Sequence, residues 1–351
     1  MSASAPSPTA VTWADPARQA AFERWLAPIA QARGLRLDTL QPASADASFR
    51  RYLRVQSAQA SFIVMDAPPP QEDVRPFVHI AGLIQHAGLH APEILECDAG
   101  QGFLLLSDLG NALYLDQLRE ASSAQADRLM RDAVQALVRF QQAVDPATLP
   151  PYDAALLQRE LDLFPDWCVA REFNVTWTDA QRSQWQRVCQ LLIDSALAQP
   201  TVAVHRDYMP RNLMVADPNP GILDFQDAVR GPITYDVASL LRDAFLSWDE
   251  EREIDWAVRY WEQARRVGLP VGEDFGEFWR ALEWMGLQRH LKVLGIFCRL
   301  KHRDGKARYA QDLPRFFAYA TKVALRYRPL QPLLPLIEPL SGATVQAGYT
   351  F

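Results

Sequence analysis

Apolar and polar residues recur along this chain with two different periods, and the changes of period mark its organisation. Near the N-terminus the period is helical. Phe22, Trp25, Leu26, Ile29 and Ala30 follow Asp15-Pro16, which reads as an N-cap and first helical position, and Gly34 closes the helix. Between 36 and 66 the helical period is lost: RRYLRVQ (50–56) and SFIVMDA (61–67) read as two strands joined by the polar turn 57–60. A helix is predicted from about 72 to 85, followed by Gly88 and a Pro-marked turn. GFLLLSDLG (102–110) then reads as a short buried strand running into a polar loop.

Beyond Asn111 the helical period takes over. Leu129, Ala133, Val134, Leu137, Val138 and Phe140 mark one amphipathic helix, and Leu156, Leu157, Leu161 and Phe164 another. Thr178 with Gln181 forms a capping-box pattern ahead of Trp185, Val188, Leu192 and Ile193. Further helices are predicted at about 236–247, 250–267, 274–301 and 308–327. The segment 329–340, PLQPLLPLIEPL, is expected to be too proline-rich for a helix and to pack along the surface. The whole reads as an α+β, bilobal fold. Its expected parts are a disordered tail (1–12), a small β-rich lobe (13–106), a hinge (107–112), a large helical lobe (113–330) and a C-terminal tail (331–351).

Composition narrows the class. The chain has 351 residues, enough for two cores, and its formal net charge of −6 argues against a nucleic-acid partner. No apolar run reaches the length needed to span a bilayer and no signal peptide is visible, so a soluble, cytoplasmic, monomeric protein is expected. Cys97, Cys168, Cys189 and Cys298 show no metal spacing and are expected to be free thiols, three of them within apolar patterns. Basic residues are nearly all arginine, and the first lysine of the chain is Lys292.

Inside the helical part lies one β-like interruption, TVAVHRDYMPRNLMVADPNPGILDFQDA (201–228). It holds His205-x-Asp207-x-x-x-x-Asn212, with Asp224 twelve residues after Asn212 and the turn ADPNPG (216–221) between short strands. This is the layout of a kinase catalytic loop. Phosphoryl transfer needs a hydroxyl aligned for in-line attack and charge neutralised on the β- and γ-phosphates. One carboxylate for the hydroxyl, one amide for a metal and a second carboxylate returned by a hairpin supply those groups. Asp207 is therefore the candidate base, Asn212 and Asp224 the candidate Mg²⁺ ligands, and His205 a brace of the loop. Asp236 reads as an N-cap and loop anchor. Three fixed residues in such a window arise by chance in about one chain in a hundred of this length.

With these residues in view, the sequence resembles the aminoglycoside phosphotransferase/choline kinase-like family. Within it the similarity is greatest to bacterial anomeric kinases of N-acetylmuramate and N-acetylglucosamine in cell-wall recycling. ADASFRRYLRV (45–55), FIVMDAPP (62–69), GFLLLSDLG (102–110), HRDYMPRNLM (205–214), ILDFQDA (222–228), GPITYDVASLLRD (231–243) and MGLQRHLKVLGIFCRL (285–300) carry it. The resemblance implies a protein-kinase-like form of the bilobal fold, with ATP and Mg²⁺ as cofactors and a small-molecule sugar as partner. It also implies that Ser107 and Leu109 meet adenine through their backbone, with Asp108 in the same linker, Leu106 behind the ring, and 44–51, including Ser48, as the phosphate-covering hairpin.

The pattern departs from the family at two places. The hairpin turn SADAS has no G-x-G-x-x-G, and the strand position that usually carries a phosphate-pairing lysine falls on Asp66. Arg50 or Arg51 is expected to take over the phosphate contact. On the acceptor side, Arg159, Glu160 and Asp162, together with Asp207, are candidate substrate contacts, and the helix 274–301 offers Arg289, His290, Lys292 and Arg299; this mixture of cations and acids with Trp167 suits an acidic amino sugar better than a polyamine. An aminoglycoside or amino-alcohol kinase is the alternative within the fold. A nucleotide-binding pseudokinase scaffold is the alternative outside catalysis.

Overall fold

The computed structural model describes residues 11–45 and 49–341. Predicted disorder for 1–12 and the end of the C-terminal tail therefore fall mostly outside the described residues. The chain divides into two compact units: 1–112 with 214–227, and 113–213 with 228–351.

The first unit is an antiparallel five-stranded sheet with two helices. Its strands are β1 (Arg36–Ala45), β2 (Arg51–Gln56), β3 (Ser61–Asp66), β4 (Ile94–Asp98) and β5 (Phe103–Ser107), in the order β1-β2-β3-β5-β4. Of these, β1 and β4 lacked a clear period of two and were not separated from loop in the sequence. Helix α1 (Pro16–Arg33) is capped by the Asp15 side chain and ends at Gly34, whose φ of 63° suits glycine. It lays Phe22, Leu26 and Ala30 against Leu53, Val55, Val64, Phe103 and Leu105, so alternate residues of three strands make one core face. Helix α2 (Arg75–His86) starts later than predicted, because Pro76 sits in its first turn. At Gly102, φ is +73° and a Cβ would fall 1.9 Å from Ala67 O, so the turn into β5 admits no side chain.

The second unit is mainly helical: α3 (Tyr114–Glu120), α4 (Ser123–Ala143), α5 (Ala154–Leu163), α6 (Asp179–Leu197), α7 (Tyr235–Leu241), α8 (Glu250–Arg266), α9 (Phe275–His302), α10 (Leu313–Arg326) and α11 (Leu334–Ser341). The strands β6 (Thr201–Val204) and β9 (Val229–Pro232) pair antiparallel within it. Between them, β7 (Leu213–Met214) and β8 (Gly221–Ile222) are the arms of the predicted hairpin. The Thr178 capping box is present. After α5 the chain continues as a π-helix, Phe164–Glu172. There α9 comes so close that a Cβ on Gly295 would meet the Leu163 carbonyl at 2.4 Å. Cys168, Cys189 and Cys298 are buried free thiols, and Cys97 is exposed.

One expectation is overturned. The segment after Arg328 is not an irregular surface tail: 328–333 forms a 3₁₀ turn and α11 follows. Pro335 stands in the first turn of α11, where its missing N–H costs nothing, and Leu330, Leu333, Leu336, Ile337 and Leu340 are buried. Apolar burial at helical spacing outweighs proline content here. None of the described helices is long and apolar enough to cross a membrane.

Candidate active site

The first unit separates the two neighbouring arginines. Residues 51, 53 and 55 share the sheet face covered by α1, and the pleat puts 50, 52 and 54 on the other. Arg51 lies directly opposite Asp66 across the β2–β3 pairing. It donates to Asp66 Oδ2 through Nε (3.0 Å) and Nη2, while Arg18 of α1 donates to Oδ1 through Nε (2.9 Å) and Nη2 (2.6 Å). Asp66 is only 1% exposed, and the two guanidiniums lie over Trp13 and Phe103. The carboxylate in the lysine position is therefore neutralised within the α1 face of the sheet. Arg50, by contrast, pairs with Glu72 just ahead of α2 (Nε–Oε2 2.8 Å), and Glu72 Oε1 accepts from the Phe49 amide at 3.2 Å. Ser48 lies outside the described residues.

The linker after β5 is braced from β2. Arg54 forks onto Asp108 (2.6 and 2.9 Å) and also donates to Gly110 O and Asn111 Oδ1. Burial pushes the Asp108 carboxyl up, but hydrogen bonds from Arg54 and Ser61 hold it below the usual range. Asp108 thus acts inside the protein as the linker's anchor. The Ser107 N–H donates to Glu93 O at 2.9 Å and its Oγ accepts from Glu93 N at 2.8 Å. A backbone contact from Ser107 to a base can then come only from its carbonyl. Leu106 is buried, and Leu109 packs so tightly on Gly221 that a Cβ there would lie 2.7 Å from Leu109 Cδ1. The hairpin of β7 and β8 is tied to the same unit by Val215 N to Ala112 O (2.7 Å) and Ile222 N to His90 O (2.7 Å). It delivers Asp224 in a left-handed backbone conformation (φ 62°), with Gln226 Nε2 donating to its Oδ1 at 2.8 Å.

The candidate catalytic loop belongs to the second unit, where it leaves β6. His205 is buried; its Nδ1 accepts from the Asp207 N–H (3.3 Å), and its ring meets Tyr208 edge-on. The Asp207 carbonyl accepts from Met209 N (2.9 Å) and from Asn212 Nδ2 (2.9 Å), so the loop closes on its own backbone while the Asp207 side chain stays half-exposed. Asp236 accepts from the amides of His205 (2.6 Å) and Arg206 (3.0 Å). It anchors the loop as expected, but from the first turn of α7: the N-cap position is Thr234. Burial pushes the Asp236 carboxyl up to about 7 against those two amides and the Arg289 guanidinium, which pull it down.

Among the acceptor candidates, Glu160 is buried, Asp162 is half-buried and takes a bond from Gln158 (2.7 Å), and Arg159 is exposed. Glu160 receives Arg206 Nη2 (2.7 Å), Lys292 Nζ (2.8 Å), Tyr152 OH and Gln288 Nε2 (3.4 Å). Burial pushes its carboxyl up, but Lys292 and Arg206 outweigh that and hold it at about 2. Arg54, Glu72 and Tyr152 carry no signal in the sequence that marks them as site residues, whereas Lys292 stands among the cations expected on the acceptor side and is found on Glu160. The alternation of RRYLRV was enough to put Arg50 and Arg54 on one face; the rest are tertiary pairings without a local signal.

The donor types fit a magnesium nucleotide. No group of three or more His, Cys, Asp or Glu side chains that could hold a metal is gathered among the described residues. Asn212 of the second unit carries an amide oxygen and Asp224 of the first a carboxylate, each a donor type that a hard cation accepts.

The sequence profile of the phosphotransferase enzyme family matches residues 39–279. The chain is 56% identical over 304 residues to the N-acetylmuramate/N-acetylglucosamine kinase of Pseudomonas putida, covering 87% of this chain and 89% of that one. It is 45% identical over 337 residues to the kinase of the same name from Neisseria meningitidis serogroup B, covering 95% and 99%. Among solved structures, the choline kinase LicA from Streptococcus pneumoniae is similar with a TM-score of 0.61 at 12% identity, covering 88% of this chain and 99% of that one. The ADP-bound aminoglycoside phosphotransferase APH(2'')-Ib gives 0.59 at 12% identity, covering 88% and 99%. At such identities the likeness is one of fold.

Proposed function

The chain belongs to the phosphotransferase enzyme family, and from that premise we propose that it is an ATP-dependent sugar kinase of cell-wall recycling. Its acceptor is the anomeric hydroxyl of N-acetylmuramate and N-acetylglucosamine. One observation carries the acceptor class: relatives at 45% and 56% identity, matched over most of both chains, share that substrate name. The loop supports the chemistry.

In this reading Asp207 takes the proton of the attacking hydroxyl, or orients it, from a carboxylate whose backbone is fixed by His205 and Asn212. Asn212 and Asp224 hold Mg²⁺, which when bound neutralises charge on the transferring phosphates. Arg50, steadied by Glu72, contacts phosphate in place of the lysine that Asp66 displaces. The task is assigned to Arg50 rather than Arg51 on the ground that Arg51 is engaged with Asp66. The Ser107 carbonyl and the Leu109 amide meet the base, with Leu106 behind it, and the Arg54–Asp108 fork sets their position.

A coupled ADP-release assay with Mg²⁺ tests this against N-acetylmuramate, N-acetylglucosamine, kanamycin and choline. Turnover is expected with the amino sugars and is expected to fall about 10²-fold or more in Asp207→Ala. Turnover with kanamycin or choline alone would keep the chemistry and reject the acceptor. Replacing Arg50 by Ala is expected to raise the ATP KM, whereas an unchanged KM would remove Arg50 from the phosphate site.

A further inference from the structure

Glu160 was a candidate substrate contact, yet its surroundings give it a different task. Both of its oxygens face protein donors: Oε1 takes Arg206 Nη2 and Lys292 Nζ, and Oε2 takes Tyr152 OH and Gln288 Nε2. Its side chain is 6% exposed. A sugar hydroxyl would have to displace a buried charged partner to reach it, which is costly for the group left behind.

The partner that matters is Arg206, which directly precedes Asp207. Arg206 has φ +75°, a region that residues with a Cβ rarely occupy. Such a conformation persists only when its surroundings over-determine it. Two independent holds are present. The Arg206 amide donates to Asp236 Oδ1, and its guanidinium is paired with Glu160 and lies 5.7 Å from the Tyr152 ring centroid. Both holds converge on the first turn of α7, because Tyr235 beside Asp236 receives Lys292 Nζ at 3.0 Å.

Glu160 is in turn immobilised by two helices. Gln288 and Lys292 are four residues apart on one face of α9, and both reach it from there. One turn further on, Gly295 and Leu163 bring α9 and the end of α5 into backbone contact. A buried carboxylate with two cations is weak evidence for stability, since apolar packing often serves as well; its better-attested use is to fix one arrangement.

Resting on the reading of Asp207 as the group that handles the acceptor proton, we propose that Glu160 is a positioning residue. It locks the left-handed conformation of Arg206 and so aims the Asp207 carboxylate at the acceptor hydroxyl. Lys292 and Tyr152 hold Glu160 in place for that purpose.

The test measures kcat and both KM values for Glu160→Gln, Arg206→Met, their double variant and Asp207→Ala, each compared by folded fraction and thermal midpoint. Glu160→Gln is expected to lower kcat by roughly ten- to a hundredfold, as a displaced catalytic group does, and to leave the KM for ATP within about threefold. Arg206→Met should lose a similar factor, and the double variant no more than the worse single one, because Glu160 acts through Arg206. Arg206→Lys, which keeps the charge, should recover part of the loss. Wild-type kcat in Glu160→Gln with only a lowered thermal midpoint would show a purely structural pair and overturn the proposal; so would multiplicative losses in the double variant. If Glu160→Gln does not fold, Arg206→Met, whose side chain is 20% exposed, and its Lys counterpart carry the same kcat comparison. An active Asp207→Ala would instead reject the reading on which the proposal rests.

Discussion

Two buried carboxylates, one in each unit, are built in the same way and serve different ends. Asp66 and Glu160 are each clamped by two cations, Arg18 with Arg51 in the first case and Arg206 with Lys292 in the second. The cations on Asp66 come from α1 and β2, two elements of one scaffold, and they sit over aromatic rings of the same core. Those on Glu160 come from the candidate catalytic loop and from α9. The same chemistry therefore ties scaffold to scaffold in one unit and, in the other, ties to the scaffold the loop to which we assign the reaction. A buried ion pair reports on function only through what its partners are attached to.

Breaking each clamp should separate the two roles. The largest loss of stability is expected for Asp66→Asn, which leaves Arg18 short of its counter-charge: about 3 kcal/mol in urea unfolding, below the upper end for buried pairs because Arg51 keeps 35% of its side chain in water. The kcat of the fraction that remains folded should stay near wild type, unlike that of Glu160→Gln.

Gly295→Ala sharpens the contrast from the backbone side. Its methyl would fall 2.4 Å from the Leu163 carbonyl, so α9 must shift, at a cost of roughly 1–3 kcal/mol. Because Lys292 moves with it, kcat should fall as well, read from the same unfolding and turnover measurements.

The smallest effect is acid sensitivity. Glu160 is held at about 2 in the folded protein, below its ordinary 4.5. Its contribution to stability is thus complete above about 4.5 and lost as pH falls towards 2. Denaturant titrations at pH 5 and pH 3 should show a shallower drop for Glu160→Gln than for the wild type. Equal drops would mean that Glu160 is not held ionised by Arg206 and Lys292.

Legibility in the sequence followed locality. The candidate catalytic loop is legible as a motif because its residues sit at fixed short spacing, and α1 is legible because its N-cap, apolar stripe and closing glycine lie within twenty residues. The sequence leaves Arg50 and Arg51 as alternatives for the phosphate contact, because the period of two in RRYLRV puts them on opposite faces without saying which face α1 covers. Asp66 looked like a defect because its compensation arrives from Arg18, forty-eight residues earlier. Glu160 reads in the sequence as a candidate substrate contact, and its pairing has no local signal because Lys292 reaches it from α9, across more than a hundred residues of sequence. The α11 helix was missed for a related reason: proline content is a local signal, whereas the core that buries Leu336 and Ile337 is not.

The central claim is phosphorylation at the anomeric position of an amino sugar, and the most direct test is the position of phosphate in the product. Phosphorus–proton correlation NMR of N-acetylmuramate turned over with ATP and Mg²⁺ should couple the new phosphorus signal to the anomeric proton, with no product from Asp207→Ala. Coupling to the C6 protons, or a product unaffected by loss of Asp207, would contradict the account.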